Sequence, residues 1–84
     1  MTTKEWINAI PEVNRKHLVL YSDLIHQYFA KGNSEIVAEY GKKMRGYLEC
    51  MKDCGIITES GVKALYLYYR STRVEYLDTD STCR

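Results

Sequence analysis

The sequence predicts an all-α protein, a small three-helix bundle with a short additional N-terminal helix. Three observations predict it. Apolar residues recur at helical spacings of three and four through most of the chain. Gly32 and Gly55 stand as helix stops, each followed within three residues by a capping residue. Pro11, the single proline, separates two periodic stretches at a place that suits a helix start. The 84 residues make one helical domain, 1–84, and a chain of this size buries only about 60–65% of the surface its unfolded form exposes.

The first helix is predicted at about residues 2–9. Thr2 and Glu5 have the spacing of a capping box, and Trp6 and Ile10 lie one turn apart, so that Trp6 can fold over one end of the core. Pro11 disfavours helical geometry at Ile10 and opens the second helix, about 11–31. There Val13, Leu18, Leu20, Tyr21, Leu24, Ile25, Tyr28 and Phe29 cover about half the circumference, which predicts contact with two neighbours. Glu12, Arg15, Lys16, Asp23 and Gln27 form its solvated side.

Gly32 stops that helix and Asn33 or Ser34 caps the third, about 34–54. Val37, Tyr40, Met44, Tyr47, Met51 and Cys54 alternate spacings of three and four and read as its packing seam. Glu39 with Lys43 and Arg45 with Glu49 are spaced for ion pairs on the outer face. Gly41 and Gly46 mark a close backbone approach or a bend.

Gly55 ends the third helix, Thr58 caps the fourth, and Ile57 and Val62 are placed as a hydrophobic staple. The segment Gly55, Ile56, Ile57, Thr58, Glu59 resembles the turn of the helical-hairpin modules called SHOCT domains, although Ser60 and Gly61 depart from their acidic run, and no function follows from the likeness. The last helix is expected at about 58–76, with Val62, Leu65, Tyr66, Tyr69 and Tyr76 on one face and a polar tail at 77–84. A β-hairpin over residues 65–77 is the rival, because both its halves favour strand. The lack of Gly or Asn at its turn and the capped helix start before it favour helix.

Eight tyrosines against one phenylalanine point to half-buried or interface positions, since Tyr carries apolar area with a polar tip. A net charge of +1 gives no global attraction to nucleic acid or anionic membrane. No membrane span or secretory signal is read, and three cysteines without a paired framework suit a reducing, cytoplasmic setting. Cys50 and Cys54, one turn apart, could meet His17 at a metal, but are read as small core and core-edge residues; His17 is read as a core-edge histidine and His26 as solvated. No nucleophile, base and acid come together and no phosphate-cradling loop appears, so the expectation is a non-enzyme with no cofactor or metal.

Two functional readings follow. In the first, the chain is a protein-interaction module, a regulator or inhibitor that occupies a protein partner or self-associates. The small counter-defence proteins of phages and mobile elements belong to this size class. Its surface would be Leu67 and Val74, which fall off the main face of the last helix, with Lys63, Tyr68 and Arg70 as a more polar margin. In the second, a helix-turn-helix-like hairpin around Gly55 makes it a DNA- or RNA-binding regulator, contacting phosphates through Lys42, Lys43, Arg45 and Arg73. The last helix offers Glu59, Ser60, Gly61 and Lys63 and then quickly becomes apolar and aromatic, and Glu59 would repel phosphate, which favours the first reading.

Overall fold

The computed structural model describes residues 1–72, which form four α-helices and, among the described residues, no strand. These are α1 (Thr3–Ala9), α2 (Glu12–Ala30), α3 (Ser34–Asp53) and α4 (Glu59–Ser71). The helical reading of residues 65–69 holds and the hairpin does not. Arg73, Val74, Tyr76 and the tail lie outside the described residues.

Local sequence sets each boundary. At α1 the Thr2 hydroxyl accepts from the Glu5 amide at 3.2 Å, and the Glu5 carboxylate accepts from the Thr2 amide at 2.7 Å. Those bonds hold the Glu5 carboxyl below its ordinary value. The C-terminal end of α1 is held from the next helix: Arg15 Nη1 donates to the carbonyls of Ile7 and Ile10 at 3.1 and 3.0 Å. Arg15 is therefore a helix cap, where the sequence placed it on a solvated face. Pro11 is extended (φ −61°, ψ 152°) and precedes the first turn of α2 instead of belonging to it.

Two like stops fold the hairpins. Gly32 has φ +74° and Gly55 has φ +79°, the left-handed conformation that glycine adopts without strain. Asn33 N–H donates to Tyr28 C=O and Ile56 N–H to Met51 C=O, closing a Schellman motif at each site. Asn33 then caps α3 through its Oδ1, which accepts from the Ile36 amide at 3.2 Å. Thr58 occupies the cap position of α4 but its side chain makes no cap hydrogen bond, so the staple pair, Ile57 and Val62, both buried, fixes that entry.

The short turn at Gly32 makes α2 and α3 antiparallel neighbours; α4 packs on both, and α1 packs on α4. Leu18, Ile25, Met44, Leu48, Val62 and Leu65 are at most 2% exposed and form the centre of the core. Burial of each such side chain is worth about 1.5–3 kcal/mol. Trp6 closes one end against Gly61, as its spacing predicts. Ser22, also fully buried, donates to the Thr72 carbonyl at 3.0 Å and ties α2 to the end of α4.

Several expectations are corrected. The buried stripe of α3 is Val37, Gly41, Met44, Leu48 and Met51; Tyr40 and Tyr47 are half-buried at its edge, and Cys54 is exposed. Both stripes alternate three and four and share three residues, so periodicity alone could not separate them. Gly41, which shows no apolar side chain, hides the true one. On α2, Val13, Leu20 and Phe29 are exposed. Helix α4 ends at Ser71, not near Tyr76: Thr72 is extended, and the Ser71 hydroxyl bonds the Leu67 carbonyl at 2.5 Å, competing with the helix ladder. Gly41 is approached by a side chain and not by a backbone, since an added Cβ would lie 3.0 Å from Arg70 Nε, whereas Gly46 faces open space.

Candidate interaction surface

Helix α2 repeats Tyr21 and Tyr28 and α3 repeats Tyr40 and Tyr47, each pair seven residues apart. Seven residues are two turns, so each pair lies along one side of its helix. The turn at Gly32 brings those sides together. Tyr28 stacks on Tyr40 (centroids 6.3 Å apart, 21° between planes), and Tyr21 lies tilted against both Tyr40 and Tyr47 at 6.3 and 6.1 Å. His17 continues the row: it stacks on Tyr47 at 4.7 Å and meets Tyr21 edge-on at 5.6 Å. Asn14 Nδ2 donates to the Tyr47 hydroxyl at 2.6 Å and orients that ring.

The four tyrosines are half-buried, with ring bodies packed between α2 and α3, whereas His17, expected at the edge of the core, is exposed. The row's neighbours on α2 are apolar and open. Val13 and Leu20 are 68% and 44% exposed, and with His17 and Leu24 they follow the i, i+4, i+7, i+11 spacing of one helix face. At the other end Lys31 Nζ lies 5.1 Å from the Tyr28 ring centre and Lys43 Nζ 5.2 Å from that of Tyr40. The surface thus runs from an apolar end at Val13 and Leu20 to a cationic end at Lys31 and Lys43. Sequence reasoning missed this row as a unit, though the two heptad-spaced tyrosine pairs flanking one tight turn were the signal for it.

The surface expected on α4 is only partly brought together. Lys63 is exposed and Leu67 is 67% exposed. Tyr68 is half-buried, its ring edge-on to Tyr69 at 4.9 Å. Arg70 turns away from Leu67: its guanidinium reaches the Tyr66 hydroxyl at 3.4 Å and covers Gly41. The missing side chain at Gly41 leaves the space that Arg70 occupies. There it lines a cleft of about 270 Å³ with Ile25, His26, Phe29, Val37 and Ser71.

The basic cluster does not converge either. Lys43 lies over Tyr40, toward α2, whereas Arg45 bonds Glu49 at 3.2 Å and lies over Tyr66, toward α4. The Arg45 and Glu49 pair forms as spaced, and Glu39 leaves Lys43 to the tyrosine ring. Lys52 bridges Glu49 and Glu59, both at 3.1 Å, across the α3/α4 turn; these bonds lower the Glu49 pKa and raise that of Lys52.

Cys50 and Cys54 are exposed free thiols, so reading them as core and core-edge residues is corrected. The reason is the one-residue shift of the α3 stripe. His17 is stacked on Tyr47, and among the described residues no three His, Cys, Asp or Glu side chains are grouped to hold a metal ion. His26 is half-buried, with Nδ1 2.9 Å from the Ser22 carbonyl, where the sequence placed it in solvent. No described helix is long and apolar enough to cross a membrane.

Comparison with known proteins finds no family model, no curated protein and no solved structure that matches the chain. The likeness of the Gly55 turn to the SHOCT hairpin therefore carries nothing beyond the glycine stop and hydrophobic staple that produce it.

Proposed function

We propose that the chain is a small non-catalytic protein-interaction module that regulates or inhibits a protein partner by occupying it through the α2/α3 tyrosine face. The observation that carries this reading is the row of His17, Tyr21, Tyr28, Tyr40 and Tyr47 beside exposed Val13 and Leu20. Tyrosine supplies contact area at low conformational cost and is enriched at protein interfaces. A small inhibitor, of the kind phages and mobile elements use in counter-defence, needs only one such face. Its free thiols at Cys50 and Cys54 suit the reducing cytoplasm.

Nucleic-acid binding is the weaker reading, because Lys43 and Arg45 diverge and Arg70 turns inward. The test is affinity capture from host lysate with three folded baits: the natural chain, a Val13→Asp/Leu20→Asp variant and a Leu67→Asp variant. A protein held by the first and third baits, lost from the second and retained at raised salt is the expected result. Capture that survives Val13→Asp/Leu20→Asp, or that vanishes steeply with salt together with bound nucleic acid, overturns it.

A further inference from the structure

Building on the proposed protein-interaction role, we infer that the α2/α3 face takes an amphipathic helix of the partner, apolar at one end and carrying carboxylates at the other. A groove between two antiparallel helices is the natural seat for a third helix, which lays its apolar side along it. The polarity of the groove sets the polarity of the occupant. At the His17 and Tyr47 end the neighbouring exposed groups are apolar, Val13 and Leu20. At the Tyr28 and Tyr40 end stand Lys31 and Lys43, and among the described residues neither ammonium has a carboxylate partner; each has only a tyrosine ring. Both lysines are exposed, and a solvated ammonium over a ring is weakly held, so it is available to a carboxylate delivered by a partner.

The other occupants fit less well. Single-stranded nucleic acid needs free aromatic faces on which bases stack. Here Tyr28 and Tyr40 stack on each other, His17 stacks on Tyr47, and the lysines lie over two of these rings. A second copy of the chain would bring lysines against lysines, and its exposed acid beside Tyr40, Glu39, leaves even its own Lys43 to a tyrosine ring.

The test is a display selection of helical peptides, randomised along one face, against the full chain. The expected winners carry apolar residues toward one end and Asp or Glu toward the other. They bind a folded Lys31→Glu/Lys43→Glu variant about tenfold or more weaker, and recover when their own acids are changed to lysine. Winners that are lost with Val13→Asp/Leu20→Asp but are neutral or basic would overturn this inference and leave the proposed function standing. Winners indifferent to Val13→Asp/Leu20→Asp, or no winners, would overturn both. Oligothymidylate binding abolished by Tyr28→Ala/Tyr40→Ala, or a dimer in sedimentation that Leu20→Asp disperses, would assign the face to nucleic acid or to a second copy and overturn it as well.

Discussion

A Cβ added to Gly61 would lie 3.1 Å from the indole of Trp6 and 3.0 Å from the Ile57 Cβ, so the absence of a side chain at Gly61 is what lets α1 close on α4. Alanine there gains about 1 kcal/mol of helix propensity but loses about 1–3 kcal/mol to overpacking. The ring is buried and two neighbours must yield, so the net effect of Gly61→Ala is a loss of about 1 kcal/mol. Gly46→Ala, with nothing within 4 Å of the new atom, gives a gain of about 0.5–1 kcal/mol. Urea melts of the pair check both signs, and a stabilised Gly61→Ala would show that α1 shifts freely.

Leu65 and Leu67 are two residues apart and have opposite surroundings, fully buried and 67% exposed. Leu65→Asp places a charge in the core and unfolds the chain or costs about 4 kcal/mol or more. Leu67→Asp changes stability by about 0.5 kcal/mol or less. Equal losses in thermal melts would mean that Leu67 is covered.

Burial pushes the Tyr69 phenol up to about 12, with a further rise from neighbouring Tyr68 and a partial offset from Arg15. The unfolded chain loses this proton near pH 10 and the folded chain does not, so ionisation favours unfolding only above that pH. Stability contributed by this residue is therefore complete below pH 10 and is lost as pH rises toward 12. Tyr69→Phe flattens that slope in chemical melts between pH 9 and about 11.5; an unchanged slope would assign it to other tyrosines.

Cys50 and Cys54 are exposed, so both should be alkylated in the native protein at rates close to those of the urea-unfolded chain. Peptide mass mapping after a short iodoacetamide pulse reads each site separately. Strong native protection at Cys54 would restore it to the packing seam.

The fold was legible because its punctuation is local. Thr2 with Glu5, Gly32 with Asn33, and Gly55 with the Ile57 and Val62 staple each act within about one turn, and each sits where the spacing places it. What could not be read depends on neighbours distant in sequence. Gly41 counts as a gap in an apolar pattern until Arg70 is seen to cover it, and this contact also takes Arg70 off the expected α4 surface. Arg15 looked solvated because its acceptors, the Ile7 and Ile10 carbonyls, are backbone atoms that no side-chain pattern reveals. The tyrosine row needed a different step. Its residues were assigned helix by helix, and only the pairing of α2 with α3 makes the two heptad-spaced pairs one surface.

The bond from Ser22 to the Thr72 carbonyl joins positions 50 apart and starts from a side chain that is 0% exposed. Terminal helical turns ordinarily fray, opening and closing at almost no free-energy cost. Here, peeling α4 from its C-terminal end must first break a hydrogen bond anchored in the middle of α2. The last turn of α4 is therefore clasped, and the amides of Ser71 and Thr72 should exchange with solvent more slowly than those of the first turn of α1. A deuterium label would enter the bundle from its N-terminal side first.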